Sequence, residues 1–237
     1  MTSVREALHG RRSVRAFLDR PVERTLIEDL LTLAGRAPSG GNLQPWQVNV
    51  VAGDARQRVI DTVREVQATH PFGEPEPEYS VYPKPLGEPW RSRRFACGET
   101  MYASVGLPRE DKMGRLVQVA KNFEFFGAPV GLFLSTHKNM QPGQWSDLGM
   151  FLQSFMLSAH EAGLGSCAQE SWAIYPHAVK QAVGIKADFT LFCGLALGYA
   201  DPDAAINSTQ TSRAPLDEIV SFDGFDANGS GTAAILT

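Results

Sequence analysis

Cysteine is scarce in this sequence. Cys97, Cys167 and Cys193 are its only three, far apart, odd in number and without a C-x-x-C pair. That spacing argues against a disulfide framework or a structural zinc site and fits a reduced compartment. Long apolar runs are missing too: no stretch of about 18 apolar residues occurs, so no bilayer span is expected. The first residues, MTSVREALHGRRS, lack the apolar centre of a signal peptide, and a cytoplasmic location is the expectation. Positive charge is not in excess. Lys and Arg number 22 against 26 Asp and Glu, a net charge of -4, which argues against nucleic acid or an anionic membrane as the main partner. Any anion bound here must then meet a local basic cluster. The familiar nucleotide and nucleophile signatures are also absent, with no G-x-G-x-x-G, no P-loop and no G-x-S-x-G elbow. His160-Glu161 lacks the second histidine of a zincin, and the histidines at 9, 70, 137 and 177 are scattered, so no metal is expected.

What is present suits an ordinary globular chain, with 43% hydrophobic and 20% charged residues among 237. Ser3-Val4-Arg5-Glu6 has the form of a capping box and predicts a short helix ending near Gly10. Apolar periodicity predicts helices after Pro21, after Gly53-Asp54, around 91–106 and 111–122, over Trp145 to Ala162, and from Pro176. Strands are expected at Gln47 to Ala52, Val130 to Thr136, Ser166 to Gln169 and Phe189 to Tyr199. Residues 70–89 carry prolines at 71, 75, 77, 83, 85 and 89, too many for regular structure. A loop that long is usually functional or disordered. Without a fixed repeat or a clean linker, the reading is one α+β domain over residues 1–237, with 70–126 as a pocket-forming excursion and 223–237 as a tail. Tyr79, Tyr82, Trp90, Phe123, Phe125 and Phe126 offer a roof for flat substrates, although at least half of them suit a plain core equally well.

Three segments have the chemistry of a ligand site. In Arg11-Arg12-Ser13-Val14-Arg15, three guanidiniums and a hydroxyl follow a helix end, a donor set suited to phosphate; a solvated basic segment has the same composition. In Ala37-Pro38-Ser39-Gly40-Gly41-Asn42-Leu43-Gln44-Pro45-Trp46, small residues allow close backbone approach to a planar ligand, and the amides suit a heterocycle's edge; a plain helix-to-strand turn is the alternative. Cys167-Ala168-Gln169-Glu170-Ser171 sits at a strand end, where backbone groups often meet ligands.

Taken together, R-R-S-V-R followed by A-P-S-G-G-N-L-Q-P-W resembles the FMN-binding signature of the nitroreductase family. The resemblance continues through G-A-P-V, D-L-G-x-F-L-Q-S, E-A-G-L-G-S and S-R-A-P-L-D-E-I-V, covering roughly residues 4–222. It implies an α+β fold with a mainly antiparallel sheet wrapped by helices, assembled as an intertwined homodimer. It implies FMN reduced by NAD(P)H, and ping-pong reduction of nitroaromatic compounds. Arg11, Ser13 and Arg213 would hold the FMN phosphate, with Arg12 near the phosphate and ribityl chain and Arg15 at the pyrimidine edge. Pro38, Ser39, Gly40 and Asn42 would reach the flavin of the other subunit. Backbone donors around Gln169, Glu170 and Ser171 would lie near N5, with Asn122 a further contact. Where the family often has Glu-Gly, this chain has Glu170-Ser171. No side chain is expected to act as an essential general base. Other flavin reactions on this scaffold (quinone or enone reduction, dehalogenation, flavin fragmentation) and a non-catalytic flavin carrier are the alternative readings.

Overall fold

A computed structural model describes residues 2–225. In chain order its regular elements are α1 (Val4–Gly10), α2 (Arg24–Ala34), β1 (Gln47–Ala52), α3 (Gly53–Gln67), α4 (Trp90–Ser104), α5 (Lys112–Ala120), β2 (Val130–His137), α6 (Pro142–Glu161), β3 (Gly165–Gln169), α7 (Pro176–Val183) and β4 (Phe189–Gly198). The strands form one antiparallel sheet in the order β1-β2-β4-β3. β2 and β4 read as nearly continuous apolar runs because both faces of the sheet are covered. Val130, Leu132 and Leu134 of β2 pack with Leu30 of α2 and Phe151 and Phe155 of α6. The intervening Phe133 points the other way, into a layer with Val59 and Val63 of α3 and Val179 of α7. Each such side chain, fully buried, contributes about 1.5–3 kcal/mol of transfer free energy.

The capping box at Ser3 forms as expected: Glu6 N–H donates to Ser3 Oγ at 3.2 Å and Ser3 N–H to Glu6 Oε2 at 2.6 Å. Other boundaries moved. α6 begins at Pro142 rather than Trp145, because proline suits the first helical turn and Gln141 and Gln144 cap it reciprocally. The helix expected over 111–122 stops at Ala120, and Lys121–Gly127 continues as a 3-10 turn. Within it Phe125 and Phe126 adopt left-handed φ of 52° and 54°, a conformation that costs non-glycine residues about 1–3 kcal/mol each. Both rings are buried, and their packing holds them there. Phe125 lies on Trp172, whose indole in turn lies against bare backbone: a Cβ at Gly194 would fall 2.2 Å from Trp172 Cδ1. The bulge in β4 opposite Leu134/Ser135 leaves Phe192 outside the β2 register. Of the tail expected at 223–237, residues 226–237 lie outside the described residues.

Candidate functional site

The basic N-terminal segment is laid across the ends of β3 and β4. Ser13 bridges Ser166, Phe17 bridges Ala200, and Val14 N–H donates to the Ser166 carbonyl at 3.0 Å. The crossing requires glycine beneath it, since a Cβ at Gly165 would sit 2.8 Å from Val14 Cγ2. Asn207, nearly buried, ties the segment down from the other side. Its Oδ1 accepts from Arg15 N–H at 2.8 Å, its Nδ2 donates to the Ala16 and Asp201 carbonyls at 2.8 and 2.9 Å, and its own carbonyl accepts from Arg12 Nη1 at 3.2 Å.

Held this way, Arg11, Arg12, Ser13 and Arg15 meet Arg213 around one cavity of about 450 Å³, with Cys97, Thr209 and Thr211 on its rim. No Asp or Glu lines it, and among the described residues none of these four arginines forms a salt bridge. Burial and the facing Arg213 hold the Arg11 guanidinium below its usual range. Uncompensated guanidiniums in one recess are a donor set for a multiply charged anion.

Arg15 also borders a second cavity, of about 830 Å³, so the two share it as a lining residue. Phe72, Tyr82, Phe123, Leu152 and Phe192 make the larger cavity mostly apolar, and Arg15 and Glu170 are its two charged lining residues. Ala168, Gln169, Glu170 and Ser171, at the end of β3, form part of its wall with Asn122. The Gln169 side chain is buried and fully engaged: Nε2 donates to the Asn122 carbonyl at 2.7 Å and Oε1 accepts from Trp172 Nε1 at 3.2 Å. The Asn122 amide is likewise occupied, donating to the Val119 carbonyl at 2.9 Å. Both side chains therefore fix the wall, and what they offer a ligand is backbone. Glu170 has no cationic partner among the described residues, and burial pushes its carboxyl above the usual range.

Pro38, Ser39, Gly40 and Asn42 line neither cavity of this subunit. They form an exposed turn with left-handed φ at Gly41 and Asn42, of 57° and 56°. The turn is braced where Gly40 N–H donates to the buried Asp147 Oδ2 at 3.2 Å and Gln44 N–H to Ser39 Oγ at 3.0 Å. Of the aromatics singled out above, Tyr82 and Phe123 line the larger cavity, whereas Phe125 and Phe126 are core and Trp90 is exposed. Sequence reasoning missed Asn207, Phe72, Phe192 and Cys97. Nothing local marks Asn207 as the partner of a segment more than 190 residues away; the only signal was a polar turn after the last strand. Among the described residues, no helix is long and apolar enough to cross a membrane and no His/Cys/Asp/Glu group has a metal-holding arrangement.

The chain is similar to known proteins along most of its length. The model of the nitroreductase family matches residues 8–199. A 4-nitrobenzoate reductase from Nocardioides sp. (strain LMS-CY) is 37% identical over 91% of this chain and 87% of its own length. Another, from Pseudomonas putida, is 35% identical over 92% and 94%. Among solved structures, the FMN- and NADPH-dependent nitroreductase NfnB from Sphigopyxis sp. strain HMH superposes with a TM-score of 0.90 at 50% identity, covering 94% of this chain and 100% of that one. The FMN-dependent NfnB from Mycobacterium smegmatis, in complex with NADPH, gives 0.87 at 30% identity over 92% and 97%. The chain belongs to the nitroreductase family.

Proposed function

We propose that this chain is an FMN-dependent oxidoreductase that takes electrons from NAD(P)H and reduces nitroaromatic compounds, working in the cytoplasm as a homodimer. One observation carries the reading: a carboxylate-free recess of four arginines shares Arg15 with a roomy and mostly apolar cavity. An elongated ligand with a phosphate at one end and a planar ring at the other satisfies both. The names of the relatives supply the cofactor, the donor and the acceptor class. When bound, FMN supplies hydride acceptance and two-electron delivery.

The protein's own groups bind, orient and shield. Arg11, Ser13 and Arg213 are assigned to the phosphate, and Arg12, steadied on the Asn207 carbonyl, to the phosphate and ribityl chain. Arg15 places positive charge at the pyrimidine edge, where charge accumulates on reduction. The backbone at Glu170 and Ser171 would hold the flavin ring near N5, while Gln169 and Asn122 keep that wall rigid. The apolar residues of the larger cavity exclude water from the reacting faces, and a single cavity for donor and acceptor dictates that one leaves before the other enters. Residues 70–126 form much of its roof. No side chain is required as a general base; the nitro group's protons come from water as nitroso and then hydroxylamine products form.

Pro38, Ser39, Gly40 and Asn42 are assigned to the flavin of the partner subunit. A dimer is supported by surface: α4 buries none of its residues within the subunit and leaves the large apolar side chains of Trp90 and Phe95 exposed. The decisive experiment is a visible spectrum of the purified protein, before and after NADPH and then after a nitroarene. A yellow protein that bleaches with NADPH and regains colour with the nitroarene supports the proposal. A colourless protein that takes up no FMN refutes it, and recolouring by a quinone but not by a nitroarene moves the reaction to another acceptor.

A further inference from the structure

β3 pairs with β4 only along Gly194–Gly198, so, among the described residues, 189–193 have no strand partner on that side. Side chains take over the open edge. Glu78, from the proline-rich stretch, accepts Leu191 N–H on Oε2 at 2.8 Å. Its Oε1 meets Lys180 Nζ of α7 at 2.7 Å, and the same ammonium donates to the Phe189 carbonyl at 2.7 Å. The two charged side chains are each 8% exposed, with Lys138 as a more distant neighbour at 3.9 Å. Next along the stretch, the Tyr79 hydroxyl donates to the carbonyl of Phe192, the residue at the β4 bulge. Burial, with Glu170 and Cys193 nearby, raises the Tyr79 hydroxyl well above the ordinary phenol range, so it remains a donor.

Upstream, Glu74 accepts His177 and Ala178 N–H at 2.8 and 2.9 Å, capping the start of α7, whose N-cap residue Tyr175 makes no side-chain cap bond. The stretch that composition marks as irregular is therefore bolted at both ends of one short run. Immediately beyond the bolt, Val81 and Tyr82 enter the wall of the larger cavity, beside Phe192 and Cys193.

We infer that the buried Glu78–Lys180 pair is a positioning device for substrate recognition: it clamps residues 74–82 against the edge of β4 and thereby fixes the cavity wall formed by Val81, Tyr82 and Phe192. The inference rests on the nitroarene-reducing reading of that cavity. An apolar pair of equal size in the same place would stabilise the fold at least as well, since desolvating two charges offsets most of their attraction. What the pair adds is direction. A carboxylate that must meet an ammonium and a backbone N–H together has one position, and the two residues that follow inherit it.

The test uses the flavin-loaded enzyme with Lys180→Met and, because a lone buried carboxylate can unfold the chain, the double variant Glu78→Gln/Lys180→Met. Hydrogen exchange at Glu74 and Leu191 N–H and steady-state kinetics with a bulky nitroarene and with p-benzoquinone are measured together. The expected result for Lys180→Met is exchange about tenfold faster at these two amides, which are bonded at the two ends of the clamp, with α2 and α6 unchanged. Its KM for the bulky nitroarene should rise at least about fivefold, with kcat, flavin content and the KM for benzoquinone held within about twofold. The double variant should recover stability but not the nitroarene KM. Unchanged exchange in both variants overturns the clamp, and so does faster exchange with an unchanged nitroarene KM. A parent enzyme that reduces no nitroarene sinks the functional reading alone, and the exchange comparison then decides the clamp by itself.

Discussion

Replacing Asn207 by alanine removes three side-chain hydrogen bonds at once, those with Arg15 N–H, the Ala16 carbonyl and the Asp201 carbonyl, at 2.8, 2.8 and 2.9 Å. A buried polar group left without a partner costs about 1–3 kcal/mol. Arg15 and Ala16 are only half-buried, so water reaches part of the gap, and a total of about 2–4 kcal/mol follows rather than the full sum. That loss falls on the docking of residues 11–16, the segment that presents three of the guanidiniums. A ligand that must first order its own site binds more weakly by the fraction of molecules already ordered. A docking loss of about 2 kcal/mol therefore weakens FMN binding by up to about 30-fold, the limit for a segment whose docking is near balance in the parent. Titration of flavin-stripped protein with FMN, followed by quenching of flavin fluorescence, measures it directly. Asn207→Asp keeps the acceptor for Arg15 N–H but turns a carboxylate oxygen on the Ala16 and Asp201 carbonyls, and should bind FMN no better than the alanine variant. Parent-like FMN affinity in Asn207→Ala, alongside a lowered Tm, would refute the reasoning and reduce Asn207 to a residue of the fold alone.

Arg213→Ala should weaken FMN binding by about ten- to a hundred-fold, from the roughly 1.5–3 kcal/mol of a charge-assisted hydrogen bond, read as flavin lost on dialysis. Glu170→Gln should raise Tm at neutral pH. Burial favours the protonated acid, so the ionised form carries a penalty that is present at high pH and relieved as pH falls through the raised pKa toward 4.5. The Tm gap between variant and parent should therefore close on acidification, and a gap that widens instead contradicts the assignment. Gly194→Ala places a methyl 2.2 Å from Trp172 Cδ1, and a loss of about 1–3 kcal/mol in urea unfolding is expected. Sedimentation should show a dimer that keeps its flavin; a yellow, active monomer would remove Pro38, Ser39, Gly40 and Asn42 from the flavin site.

How much of this was readable in the sequence follows from how local each cause is. The α1 cap, the four strands and the irregularity of 70–89 were all predicted, because a capping box, an apolar run and a proline cluster act over a few residues. The start of α6 was missed because Pro142 and Gly143 look like breakers until Gln141 and Gln144 are seen capping each other. The left-handed Phe125 and Phe126 could not be foreseen: only the burial of both rings, that of Phe125 against Gly131, Phe133 and Trp172, makes that backbone tolerable. The phosphate-suited cluster was visible at Arg11–Arg15 and, through the resemblance, at Arg213. The roles of Asn207, Glu78 and Lys180 were not, since each depends on pairings across more than 100 residues.

The docking of residues 13–17 onto Ser166 and Ala200 also has a consequence for synthesis. The chain's first basic residues leave the ribosome early, yet the surface that shapes them comes from β3, β4 and the turn holding Asn207, and the last arginine of the recess is Arg213. At about 5–20 residues per second, the opening segment waits roughly 10–40 s for its seat. An interrupted chain that stops short of residue 207 carries Arg11, Ser13 and Arg15 but cannot hold them in place. On the proposed phosphate assignment, flavin capture waits for Arg213, and a chain arrested before that residue should stay colourless.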